Sequence, residues 1–196
     1  MPNSVELLPV SKRQPSTLIR SAAGLGFQTF GENYVQEGMM KAVEMADLRF
    51  VLIGPLQRNK AKPALEHFQE IMTLDRPELV SRMIHLAEDL DLDRKVWIQV
   101  DLWGETTKLG GCPENGIDEL YHMIEGSRLD LQGFMAIPPP GNSQAFRDLA
   151  RLREAWRQRT GLPLRLSMGM SDDLEEAIAA GTDQVRIGTA FFGERI

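Results

Sequence analysis

Residues 70–90 read Glu-Ile-Met-Thr-Leu-Asp-Arg-Pro-Glu-Leu-Val-Ser-Arg-Met-Ile-His-Leu-Ala-Glu-Asp-Leu. The run from Glu70 to Leu74 is short, largely apolar and broken by Asp75, Arg76 and Pro77, the pattern of a buried strand and its end. Beyond the proline, Val80, Met83, Ile84 and Ala87 recur at three- and four-residue spacing, which lines one face of a helix. Another apolar run begins at Val96. A strand, a tight break, a helix and a further strand form the repeating unit of a parallel sheet.

The unit extends both ways along the chain. Strands are predicted at 5–10, 27–31, 50–54, 70–74, 96–101, 131–136, 164–167 and 184–187, with helices at 16–25, 34–45, 60–67, 77–90, 114–125, 143–160 and 172–180. Gly24, Gly26, Gly126, Gly161 and Gly181 stand where helix C-termini are expected. Eight strands within 196 residues favour a compact (β/α)8 TIM barrel over an open doubly wound sheet. No Gly-x-Gly-x-x-Gly turn follows the first strand to support the open alternative. Pro138-Pro139-Pro140-Gly141 directly follows the sixth strand and reads as a loop, so residues 1–196 are expected to form a single domain.

A net charge of −6 and a pI near 5.2 provide no basic field for nucleic acid or an anionic membrane. Apolar runs are too short to span a bilayer, and the N-terminus has no signal-peptide pattern. Cys112, the sole cysteine, excludes an internal disulfide and fits a reducing compartment, so a cytoplasmic location is expected.

Barrels of this kind carry their chemistry at the C-terminal ends of the strands. Those ends bring Lys12, Glu32 and Asn33, residues 54–57, Asp75, residues 101–104, 137–140 and 167–171, and finally Arg186 to Thr189. The chain has six lysines, and Lys12 is the one that directly follows a strand. A lysine amine freed of its proton by burial or by neighbouring cations condenses with a carbonyl; the plainer reading is a solvated charge at a strand end. Ser171, Gly188 and Thr189 lie at the ends of strands seven and eight, where barrels bind phosphate on backbone N–H groups. Ser171 reads equally well as a helix N-cap ahead of Asp172 and Asp173. Taken together, the two ends of the chain suggest an aldehyde with a phosphate tail, held covalently at Lys12.

Other polar groups are less informative. His67, His85 and His122 fall within predicted helices and lack ligand spacing for a metal. Cys112 reads as an incidental small residue, and Glu32, Asp75 and Asp101 are isolated strand-end carboxylates. The basic run from Arg147 to Arg159, interrupted by Asp148 and Glu154, reads as a solvated helix face.

Several segments resemble the pyridoxal-phosphate homeostasis family, single-domain barrels similar to the N-terminal domain of alanine racemase. These are Val-Ser-Lys at 10–12, Phe-Gly-Glu-Asn-Tyr-Val-Gln-Glu at 30–37 and Ile-Gly-Pro-Leu-Gln-Arg-Asn-Lys at 53–60. Met-Ala-Ile-Pro-Pro-Pro at 135–140, Ser-Met-Gly-Met-Ser-Asp-Asp at 167–173 and Val-Arg-Ile-Gly-Thr-Ala-Phe-Phe-Gly at 185–193 complete the set. The resemblance implies pyridoxal 5′-phosphate as a Schiff base on Lys12. It also implies phosphate contacts from Ser171, Gly188 and Thr189, Arg186 facing the pyridine nitrogen, and Asn33 beside the ring. Ser167, at the head of its motif, joins this set as a cofactor-binding candidate.

The chain departs from the family at three points. It begins almost on its first strand, where relatives carry a preceding helix, so one side of the barrel is expected to be less covered. Phe50-Val51-Leu52 replaces a common Trp-His-Phe, and Leu109 follows Lys108 where serine is common.

An arginine cannot accept a hydrogen bond from a ring nitrogen, so Arg186 would weaken the cofactor as an electron sink. Alanine racemase, by family knowledge, works with the same arrangement, but it adds a second domain for which no room is expected after Ile196. The expectation is a cofactor carrier serving vitamin B6 and amino-acid homeostasis, with apo-enzymes as recipients and a monomeric state. The alternatives are a weak amino-acid racemase and a regulatory module that reports cofactor status to a partner.

Overall fold

The computed structural model describes residues 5–104 and 110–193. Strands β1 (Glu6–Pro9), β2 (Thr29–Glu32), β3 (Arg49–Leu52) and β4 (Glu70–Leu74) alternate with helices α1 (Ser16–Gly24), α2 (Val35–Glu44) and α3 (Ala61–His67). Helix α4 (Pro77–Asp89) leads to β5 (Arg94–Gln99), α5 (Ile117–Ile124) to β6 (Leu129–Met135), and α6 (Ser143–Thr160) to β7 (Arg165–Ser167). Then come α7 (Leu174–Ala179), β8 (Gln184–Ile187) and the one-turn α8 (Thr189–Phe192).

All eight strands are parallel, in the order β1-β8-β7-β6-β5-β4-β3-β2. The two ends of that order meet at an isolated parallel bridge between Val10 and Gly31, with Ser11 N donating to Gly31 O at 2.9 Å. The sheet thus curls into a barrel whose seam, between β1 and β2, has no ladder of its own among the described residues.

Alternation along each strand separates two apolar layers. Leu8, Val51, Met72, Trp97 and Met135 fill the interior, with Ile53 and Ile137 packed against them nearer the C-terminal mouth. Trp97 is fully buried, and its indole N–H reaches Glu70 Oε2 at 3.0 Å, so the large ring leaves no unpaired donor. Phe30, Phe50, Leu52, Ile71 and Ile98 point outward beneath the helices. Helix α4 answers them with Leu79, Val80, Met83, Leu86 and Ala87; of the stripe predicted from residue spacing, Val80, Met83 and Ala87 are buried and Ile84 lies at the margin.

Boundaries moved where backbone geometry overrode composition. The strand expected at 27–31 begins at Thr29, because Phe27 packs edge-on against Phe191 at 4.9 Å between ring centres. The helices expected from Lys60 and Glu114 open as 3₁₀ turns at Arg58–Lys60 and Glu114–Gly116. Helix α6 runs as expected from Ser143, capped by Asn142 Oδ1 accepting from Ala145 N at 3.2 Å, and ends at Gly161 with φ 71°. The basic run on α6 is not uniformly solvated: Arg153 is held beneath the surface by Asp183, at 2.7 Å, and by Gly181 O.

Candidate functional site

Lys12 leaves the barrel at its seam. Val10 N donates to Ile187 O at 2.8 Å and Ser11 N to Gly31 O, so the segment is tied to β8 on one side and β2 on the other. The next residue, Arg13, adopts the left-handed conformation at φ 58°, uncommon for a side chain of its size. Lys12 is half-buried between a buried Ser11 and an exposed Arg13.

Asn33 follows β2 directly, across the seam from Lys12. Its Oδ1 is buried without a hydrogen-bond partner among the described residues. Gly54, at the end of β3, presses against it: a Cβ there would lie 2.1 Å from Asn33 O. Thr73 Oγ1 donates to Gly54 O at 2.9 Å, which fixes this approach from β4.

On the far side of the mouth, Arg186 extends from β8 into the barrel and is 4% exposed. Its Nη1 donates to Ser167 O and Ser167 Oγ, and its Nη2 to Ala136 O, each at 2.8 Å. Ser167 Oγ in turn donates to Gln184 Oε1 at 2.9 Å. Every one of these acceptors is neutral. Burial accordingly pushes the guanidinium pKa down to about 10, with Asp173 opposing the shift. Ser167 is therefore placed as the support of Arg186, fully buried in the wall, rather than facing the open mouth.

Gly188 links β8 to α8. A Cβ built there would meet Val10 Cβ at 3.6 Å and nothing closer, so packing alone does not require glycine. The first N–H groups of α8 have no acceptor within the helix. Thr189 and Ser171 are exposed on the same rim, and Arg186 N donates to Gly169 O at 3.0 Å, tying the β7 loop to β8. Ser171 does not cap α7. That position belongs to Asp173, whose Oδ1 accepts from Met170 N, because α7 begins at Leu174.

The mouth also holds a cavity of about 230 Å³ over β5 and β6, lined among others by Gln99, Asp101, Trp103, Ile137 and Met170. None of the seven candidate residues lines it. Asp101 caps Trp103 N at 3.0 Å and Asp75 pairs with Arg76 at 2.5 Å, so both carboxylates brace loops. His85 and His122 are exposed near Asp89 and Glu125. Among the described residues, no three His, Cys, Asp or Glu side chains gather as metal ligands, and no helix is long and apolar enough to cross a membrane. Val51 lies in the apolar barrel interior. Lys108 and Leu109 lie outside the described residues.

Residue reading missed Lys41. It lies on the buried face of α2 with Val35 and Gly38, and its Nζ donates to Ser11 O at 2.6 Å and to Glu32 Oε1 and Glu37 Oε1, each at 2.7 Å. The signal was available in the helical stripe, where Lys41 occupies a core position four residues after Glu37. Glu32 accordingly points into the wall behind the seam and not into the mouth. Its pKa is raised by burial, against the hydrogen bonds from Lys41 and Ser11.

Across residues 1–196 the sequence matches the family model described as alanine racemase, N-terminal domain. It is 42% identical over 201 residues to the pyridoxal phosphate homeostasis protein of Pseudomonas aeruginosa, covering 99% of this chain and 86% of that one. The solved structure of PipY from Synechococcus elongatus with PLP bound superposes with a TM-score of 0.89 at 35% identity, over 98% of this chain and 94% of PipY. An alanine racemase from Clostridium difficile shares the fold at a TM-score of 0.83 and 12% identity, over 99% of this chain and 56% of the racemase.

Proposed function

This chain belongs to the pyridoxal phosphate homeostasis family, whose barrel is that of the alanine racemase N-terminal domain, and on that premise we propose that it binds pyridoxal 5′-phosphate through Lys12. When bound, the cofactor supplies an aldehyde that a primary amine takes up with loss of water. In this reading Lys12 holds the aldehyde end, and Ser171 with the N–H groups of Gly188 and Thr189 holds the phosphate. Arg186 faces the ring nitrogen and Asn33 lies beside the ring.

The observation that carries the reading is the set of unmet capacities in one mouth. Asn33 Oδ1 is buried and unpaired, α8 presents N–H groups without helical acceptors, and Gly188 leaves room that a side chain would fill. Arg186 adds a buried positive charge whose acceptors in the wall are all neutral.

The same arginine weakens the cofactor as an electron sink without by itself deciding between a carrier and a racemase. A guanidinium donates only, so it keeps the ring nitrogen without its proton and limits electron withdrawal from the reacting carbon. In this reading the protein is a cytoplasmic, monomeric reservoir that releases cofactor to apo-enzymes and damps its free aldehyde. The test is the visible spectrum. Wild-type protein with pyridoxal phosphate develops a band at roughly 420 nm that borohydride bleaches by reducing the imine to a secondary amine, and Lys12→Ala does not. A wild-type spectrum equal to that of free cofactor would overturn the reading.

A further inference from the structure

The lysine that carries the cofactor has a flexible four-carbon stem, so its reach is set by how firmly its backbone is held. That backbone is held from behind by a second, buried lysine. Lys41 is 7% exposed, and its Nζ donates to Ser11 O at 2.6 Å, immediately before Lys12. Ser11 Oγ donates to Glu32 Oε1 at 2.6 Å, and the same Glu32 oxygen accepts from Lys41. On the other side of Lys12, Arg13 N donates to Glu37 Oε1 at 2.5 Å, and that oxygen also accepts from Lys41. One ammonium group therefore organises an anchor before Lys12 and an anchor after it. Arg13 adopts φ 58°, a conformation that persists only where surrounding contacts enforce it.

We infer that Lys41 is a positioning residue: through Ser11, Glu32 and Glu37 it fixes the backbone on both sides of Lys12 and so sets how long the cofactor stays attached. This rests on the proposed binding of pyridoxal phosphate at Lys12. The cofactor is gripped at its phosphate by the β8 end and at its aldehyde by the β1 end, so attachment closes a ring across the barrel mouth. Holding the amine in place raises its effective concentration at the aldehyde carbon far above that of any free amine. Loosening Ser11 and Arg13 lowers that advantage without removing a single group that touches the cofactor.

The experiment loads wild type, Lys41→Met, Glu37→Ala and Leu149→Ala with excess cofactor and follows the loss of the covalent band in hydroxylamine. Hydroxylamine adds to the carbon–nitrogen double bond, and Lys12 leaves as the free amine, taking up a proton. Leu149 is fully buried on the inner face of α6, away from the seam, so its variant reports destabilisation alone. Losing a charge-assisted anchor is expected to speed decay about tenfold in Lys41→Met and about threefold in Glu37→Ala, with Leu149→Ala within about twofold of wild type. Glu37 has a side chain 22% exposed, so Glu37→Ala decides the matter should Lys41→Met fail to fold. Equal decay in wild type and the folded seam variants, or equal acceleration in Leu149→Ala, overturns the positioning role. A wild type that never forms the band refutes the cofactor reading instead.

Discussion

Two glycines at strand ends look alike in the sequence and should respond oppositely to one methyl group. At Gly54 a Cβ would sit 2.1 Å from Asn33 O and 2.7 Å from both its carbonyl carbon and Cα. All three are backbone atoms held between β2 and β3, and 2.1 Å is 0.9 Å inside the 3.0 Å that real Cβ contacts respect. Gly54→Ala must therefore push the strand ends apart, at a cost of roughly 3 kcal/mol. At Gly188 the nearest atoms are 3.6 Å and 3.7 Å away, ordinary contact distances, so Gly188→Ala should leave stability within about 1 kcal/mol. If the phosphate occupies the turn between β8 and α8, the added methyl displaces one or two charge-assisted hydrogen bonds. Affinity should then fall about 30-fold, equivalent to roughly 2 kcal/mol. Urea unfolding of the cofactor-free proteins gives the first quantity, and titration of the visible band gives the second. A Gly188→Ala protein that binds as tightly as wild type would show that the phosphate lies elsewhere, and a stable Gly54→Ala would show that the β2–β3 approach is looser than described.

Asn33→Ala should separate binding from folding in the same way. It removes a buried oxygen with no partner, so stability should hold or rise slightly, while cofactor affinity falls several-fold by the same titration. Cys112 gives a pH test. Its thiol is pushed from 9.0 up to about 11, first by burial and then by Asp75 and Glu119, so it stays protonated in the folded state while the unfolded chain ionises. A raised folded pKa makes that contribution complete below pH 9 and lost as pH climbs toward 11. Wild type should lose up to about 2 kcal/mol relative to Cys112→Ala across that window in parallel urea titrations. An unchanged difference between the two proteins would refute it. Incubation with L-alanine in deuterated water should show α-proton exchange no faster than with free cofactor, and a clear excess would favour the racemase reading.

Much of the barrel was legible because its elements are locally self-consistent. Residues 70–74, 143–160 and 184–187 carry their own patterning and breaks, and they fold within those limits. Where limits shifted, as at Phe27 and at the 3₁₀ turns before α3 and α5, a tertiary contact or local turn geometry decided the outcome. Strand-end logic brought Lys12, Asn33, Arg186 and Gly188 to one mouth. It did not reveal that Ser167 is occupied with Arg186, nor that the N-cap position of α7 falls on Asp173 instead of Ser171. Lys41 escaped because a lysine count cannot distinguish a surface charge from one sealed behind a strand. Burial with two carboxylates is a property of the assembled wall.

Among the described residues, the bridge from Val10 to Gly31, with the Ser11 amide beside it, is all that pairs β1 to β2. Fluctuations of the sheet should begin where the zipper is shortest, and that place is also where Lys12 emerges. In the proposed binding mode, a ligand attached at Lys12 after β1, with Asn33 of the β2 end beside its ring, acts as a clasp over that gap. Slowed hydrogen–deuterium exchange at the Ser11 amide, which donates across the gap to Gly31 O at 2.9 Å, then becomes a direct gauge of loading. Vitamin status would be written into the breathing of the protein, with no second conformation needed to report it.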